Sequence, residues 1–152
     1  MTQRVNFAQQ SPKLFKSFLA FTNELFDSAI EVNLIDLVSI RISQMNACEF
    51  CLDLHVKQAV IRGESELRLR HVSKWRESDL FTPRERAALT WSELLTELPE
   101  EGISDEAYAH VREHLSEQEI SDLSFLIVSV NGWDRINIGF KTASGRLTRN
   151  FD

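Results

Sequence analysis

Apolar side chains recur every three or four residues through most of this 152-residue chain. Sustained apolar–polar alternation is absent, so the pattern predicts helices and no sheet. From about Ser11 to Ser28, the stripe Leu14, Phe15, Phe18, Leu19, Phe21, Leu25 and Phe26 predicts a helix. Ser11 is its expected cap and Pro12 its first helical residue. A second helix is expected over about Leu34 to Met45. A third begins near Cys48 and stops at Gly63, a residue suited to a left-handed terminator. A short helix follows over about Ser65 to Trp75. Thr82-Pro83-Arg84-Glu85 reads as a capping box with proline just inside, opening a helix to about Leu98. Another short helix covers about Asp105 to His114. Ser116-Glu117-Gln118-Glu119 is a second capping box. It opens a long segment from Ile120 to Phe140 that is apolar most of the way round, and so is predicted to be central to the bundle or shared with another subunit. Residues 1–10 and 143–152 read as loosely held. The expectation is one all-α domain over residues 1–152, a helical bundle with its core at about 34–140.

Composition narrows the function classes. Apolar residues make up 43% and charged residues 26%, with few prolines and glycines, which suits a folded globular chain and not a disordered one. The net charge of -6 offers no phosphate-binding surface, so no nucleic-acid partner is expected. Met1 to Val5 carry no apolar signal core, and no apolar run is long enough to span a bilayer; the chain reads as cytoplasmic, with no membrane partner. In a reducing compartment two cysteines read as redox-active, metal-binding or simply buried, and not as a structural staple.

Those cysteines, Cys48 and Cys51, share one helical face with His55. If the second and third helices form a hairpin turning at Asn46-Ala47, Asp36 comes level with His55 to Lys57, and Ser43 with Phe50 or Cys51. The expected roles follow. Asp36 orients His55 and favours its protonated form. His55 and the helix N-terminus favour a thiolate. The thiolate attacks a peroxide O–O bond, and His55 passes a proton to the departing oxygen. The other cysteine then closes a disulfide, which an external thiol or dithiol reductant reopens. Which sulfur attacks stays open on these grounds: Cys48 is nearer the helix dipole, Cys51 nearer His55. A zinc site using both cysteines, His55 and His71 is the competing metal reading, but the chain lacks a second CxxC and no metal or cofactor is expected. His110 and His114, with Glu106 a turn before, have metal-compatible spacing that more simply describes an exposed polar face. Trp75, Trp91 and Trp133 read as packing anchors. Asn131, Asp134 and Asn137 interrupt an apolar helix and need partners, at a subunit interface or lining the thiol pocket. The charges from Arg84 to Arg86 and at Glu100-Glu101 read as solvated surface.

Together these residues resemble the alkylhydroperoxidase D-like proteins, within the carboxymuconolactone decarboxylase superfamily. The matching elements are Ser43-Gln44-Met45-Asn46, then Cys48-x-x-Cys51-x-x-x-His55, Trp75-Arg76-Glu77-Ser78, Phe81-Thr82-x-Arg84-Glu85-Arg86-Ala87-Ala88-Leu89, and Asn131-x-Trp133-x-Arg135. The likeness spans roughly Leu34 to Phe140. It implies an all-helical fold that assembles into homo-oligomers, commonly trimers or hexamers. It also implies a peroxidase mechanism in which Cys51 attacks peroxide, Cys48 resolves and His55 is the relay histidine. Asp36 stands where the family usually has the relay glutamate, one methylene shorter, and Phe50 where the best-studied members have a second histidine. Decarboxylation is disfavoured, because the lactone decarboxylases of the superfamily generally lack the cysteine pair. The function read from the chain is a peroxidase reducing hydrogen or organic peroxides through a Cys48–Cys51 disulfide cycle. The alternatives are a thiol–disulfide oxidoreductase that does not use peroxide, and a non-catalytic oligomeric binding or sensing module.

Overall fold

The computed structural model describes residues 2–144. Among them are eight α-helices and no strand: α1 (Phe7–Gln10), α2 (Pro12–Glu24), α3 (Val32–Met45), α4 (Glu49–Ile61), α5 (Glu66–His71), α6 (Pro83–Glu97), α7 (Asp105–Arg112) and α8 (Glu117–Phe140). Short 3-10 turns follow α2 (Leu25–Asp27) and α5 (Val72–Glu77). The all-helical expectation holds, and the two capping boxes mark true helix starts. Thr82 Oγ1 accepts from the Glu85 amide while the Glu85 carboxylate accepts from the Thr82 amide, and Ser116 and Glu119 repeat the arrangement. Thr82→Ala removes one partner of this exchange, so the expected loss is about 1 kcal/mol in a denaturant melt. Ser11 opens α2 without a side-chain cap.

The central position falls to α3, not to α8. Nine of the fourteen residues of α3 are buried, on opposite sides of the helix. Leu34, Ile35, Val38 and Ile42 pack with α6, α7 and α8 around Ala88, Trp91, Val111, Leu123 and Ile127. Leu37 and Ile40 face a second cluster with Val56, Ala59, Leu69, Trp75, Phe81 and Leu89. A helix apolar on both sides must be covered on both, and α3 is the element that joins the two cores. α8 buries one face and leaves Phe125 and Val128 more than half exposed.

The expectation of a loose N-terminus is corrected. Phe7 lies 6.1 Å from the Phe140 ring and 5.8 Å from that of Phe15, beside Trp133. The Arg4 amide donates to the Phe140 carbonyl at 2.8 Å. Aromatic burial outweighs the cost of ordering this short segment. Residues 1 and 145–152 lie outside the described residues.

The reading of Arg84 to Arg86 as solvated surface is also corrected. Glu85 is buried and held by Arg68, which also pairs with Glu64. Arg84 joins Glu31 to Glu119, and Arg86 donates to the Trp75, Arg76 and Ser78 carbonyls. Arg86 thereby ties carbonyls of the irregular segment after α5 to α6. Glu100 and Glu101 are exposed, as expected.

Candidate functional site

The hairpin of α3 and α4 turns through Asn46 and Ala47, where Ala47 takes φ 54°. Cys48 is the N-cap of α4, and its Sγ accepts the Cys51 amide at 3.4 Å. The first turn of α4 therefore directs a backbone donor and the positive end of the helix dipole at the Cys48 sulfur. Cys48 and Cys51 are joined as a disulfide and are 2% and 3% exposed. His55 follows one turn after Cys51 on α4.

The expected Asp36–His55 pair does not form. Arg62, just beyond the end of α4, reaches back to Asp36 Oδ1, and Asp36 Oδ2 has no hydrogen-bond partner. A guanidinium holds its charge where an imidazole does not, so it takes the carboxylate. Burial nonetheless raises the Asp36 pKa, with Arg62 opposing. The expected protonated His55 is corrected too. Burial lowers its pKa to about 4, against a hydrogen bond with Gln58 and with the charge of Arg62 adding to the fall. His55 is thus neutral at pH 7 and supplies no positive charge to a thiolate.

The carboxyl group that does reach the cysteines belongs to α8. A carboxylate oxygen of Asp134 and the two Sγ atoms all lie within 4.8 Å of one another, and Asp134 is fully buried. Ser43 Oγ donates to Asp134 Oδ1 at 3.1 Å, and Asn46 Nδ2 to Oδ2 at 2.9 Å. Asn46 Nδ2 also donates to Asn131 Oδ1, and Asn131 Nδ2 donates to Thr96 Oγ1 at 3.0 Å. Asp134 lines the thiol pocket, one of the two places expected for these residues, and Asn131 reaches it through Asn46. Asn137 instead donates to the Trp133 carbonyl. The Ser43-x-x-Asn46 spacing ends α3 so that both side chains face one carboxylate on α8. Asp134 was visible in the sequence only as an acid inside an apolar helix.

Among the described residues, Cys48, Cys51 and Asp134 are the one set of three His, Cys, Asp or Glu side chains whose N, S or O atoms gather within 4.8 Å, and the sulfurs in it are spent on each other, not on a metal. His71 bonds instead with Ser78 at 3.3 Å, and His110 lies 3.8 Å from Glu113. His110 and His114 line, with Trp75, Arg76 and Arg86, a separate cavity of about 420 Å³ that none of the thiol-site residues borders. The three tryptophans are anchors: their Nε1 groups donate to Glu93, Ser124 and Thr22.

A buried cysteine pair at the start of a helix, in a bundle of this topology, defines an alkylhydroperoxidase D (AhpD)-like protein. Residues 12–94 match the Carboxymuconolactone decarboxylase family, and the chain belongs to it. It is 38% identical over 138 residues to the uncharacterized protein YdfG of Bacillus subtilis, covering 91% of this chain and 94% of that one. The crystal structure of ATU0492 from Agrobacterium tumefaciens is similar, with a TM-score of 0.90 and 38% identity over 95% of this chain and 99% of that one. That protein is of unknown function and named as a candidate antioxidant defence protein AhpD. An uncharacterized peroxidase-related protein with an alkylhydroperoxidase AhpD core, from Ralstonia eutropha JMP134, shares the fold with a TM-score of 0.81. Its identity is 17%, over 91% of this chain and 74% of that one. Among the described residues no helix is long and apolar enough to cross a membrane.

Proposed function

We propose that this chain is a thiol peroxidase, reducing hydrogen or organic peroxides through a Cys48–Cys51 disulfide cycle. The observation that carries the reading is the closed, buried cysteine pair at the start of α4 in an AhpD-like fold. Cys51 is the attacking residue by resemblance to the family, and His55, one turn further along α4, relays the thiol proton to the departing oxygen in one concerted step, because its burial disfavours a standing imidazolium. The thiolate attacks one peroxide oxygen, the O–O bond breaks, and the departing oxygen takes the proton from His55. Cys48 then attacks the sulfenic acid at Cys51, forming the disulfide and releasing water. The Cys48 sulfur is the one that the helix start stabilises as a thiolate, which suits a resolving nucleophile and, on re-reduction, a leaving group. An external thiol or dithiol supplies two electrons and two protons to reopen the bond. The exposed Phe125 and Val128 on α8 suit the homo-oligomeric contact that the family resemblance implies.

The expected result on rapidly mixing reduced protein with cumene hydroperoxide is stoichiometric loss of free thiol, abolished in Cys51→Ser. Thiols that survive the peroxide would refute the proposal. A second reading is a thiol–disulfide oxidoreductase without peroxidase activity, which the closed cysteine pair fits equally because a disulfide does not record its oxidant. That reading predicts a defined potential in dithiol redox buffers with no peroxide consumed. Slow alkylation of both thiols at neutral pH would favour a non-catalytic module.

A further inference from the structure

We propose that Asp134 is the proton-transfer residue of the Cys48–Cys51 pair. Its carboxyl group gives a proton to a departing sulfur when the disulfide is reduced, and takes one back when the bond reforms. The inference rests on the reading that the pair cycles, but not on peroxide being its oxidant.

Three observations carry it. Asp134 presents an oxygen to both sulfurs in a volume closed to solvent. Its hydrogen-bond donors are neutral: Ser43 from α3 and Asn46 from the turn. Among the described residues the other buried acids are matched by arginine, Glu85 by Arg68 and Asp36 by Arg62, while Asp134 has no ion pair. A buried carboxyl group with neutral hydrogen-bond donors and no direct ion pair is poised to exchange a proton rather than to hold a fixed charge. The groups around it are few. Cys48 and Cys51 face it from the start of α4, and α6 contributes Thr96 through Asn131. Arg135 on α8 acts at longer range, its guanidinium donating to Asn131. Burial raises the Asp134 pKa, and the Asn46 and Ser43 hydrogen bonds oppose the rise.

In reduction, an external dithiol thiolate attacks Cys51 Sγ and the sulfur–sulfur bond breaks. The electron pair leaves on Cys48 Sγ, which takes the proton from Asp134. The second thiolate of the reductant then attacks the mixed disulfide, releasing Cys51 as a thiolate and leaving the reductant oxidised. Solvent protons restore Cys51 and Asp134. The balance is one protein disulfide and two reductant thiols giving two protein thiols and one reductant disulfide.

The test follows reduction of the oxidised wild-type protein, Asp134→Asn and Ser43→Ala by dithiothreitol between pH 5 and 9, with rates expressed per reductant thiolate. The wild type is expected to show an inflection that Asp134→Asn removes, with a fall of about tenfold or more on its acid side. Ser43→Ala deletes a hydrogen bond to the carboxylate and is expected to move the inflection to higher pH. Profiles for Asp134→Asn that superimpose on the wild type would overturn the proposal. Should that variant not fold, an inflection unmoved by Ser43→Ala overturns it. A folded wild type whose disulfide resists dithiothreitol overturns both this inference and the redox cycle. A pair that exchanges with dithiol but ignores peroxide removes only the peroxidase reading.

Discussion

Replacing Arg62 by methionine lowers stability by about 3 kcal/mol at neutral pH, the cost of leaving a buried carboxylate without its counter-charge. The Asp36 side chain is 3% exposed, so water cannot take the place of the guanidinium. The Arg62 side chain is a third exposed, which places the loss at the low end of the range for broken buried pairs. The pH dependence carries the diagnosis. Asp36 already has a raised pKa from burial, and losing Arg62 raises it further. Above the unfolded carboxylate range the variant is penalised for the buried charge. As pH falls and Asp36 protonates in both proteins, the penalty shrinks and the two stability curves converge. Denaturant melts at pH 7 and pH 4 measure this, and Asp36→Asn in the Arg62→Met background is expected to recover most of the loss. A deficit that does not change with pH would contradict the ion-pair origin.

Acidification is expected to cost the wild type about 3 kcal/mol relative to His55→Gln between pH 6.5 and pH 4. The sign follows from proton uptake. The folded imidazole titrates at about 4 and the unfolded one near 6.5, so the unfolded chain binds the extra proton first. The contribution is complete above pH 6.5 and is lost as pH falls through the folded value. Melts of both proteins across this range test it, and parallel curves would contradict it. The charge of Arg62 is one cause of the low value, so Arg62→Met is expected to move the His55 titration upward. The two predictions meet at one guanidinium, which binds the carboxylate and bears on the imidazole.

Local signals were read well from the sequence because their physics is local. Thr82 and Ser116 announce helices through partners three residues away, and Cys48, Cys51 and His55 lie on one helix by spacing alone. The family resemblance at Ser43, Asn46 and the cysteines identified the fold. What the sequence concealed depends on side chains arriving from distant segments. Arg62 is 26 positions from Asp36, and its long stem lets it intercept a carboxylate that helix levels alone assign to His55. Asp134 is 91 positions from Ser43. Its place beside the sulfurs follows from how α8 crosses α3 and α4, which no pattern within α8 records. The burial of Glu85 was missed for the same reason: the cation that permits it sits on α5.

The bond between the Arg4 amide and the Phe140 carbonyl brings the segment before α1 and the end of α8 within 2.8 Å of each other. Chain order is therefore separable from architecture in this protein. A short bridge from the segment after Phe140 to the segment before Arg4 would close the backbone into a ring. Reopening that ring in the exposed stretch between α6 and α7 would leave the thiol site on an uncut run from α8 through the bridge to α3 and α4.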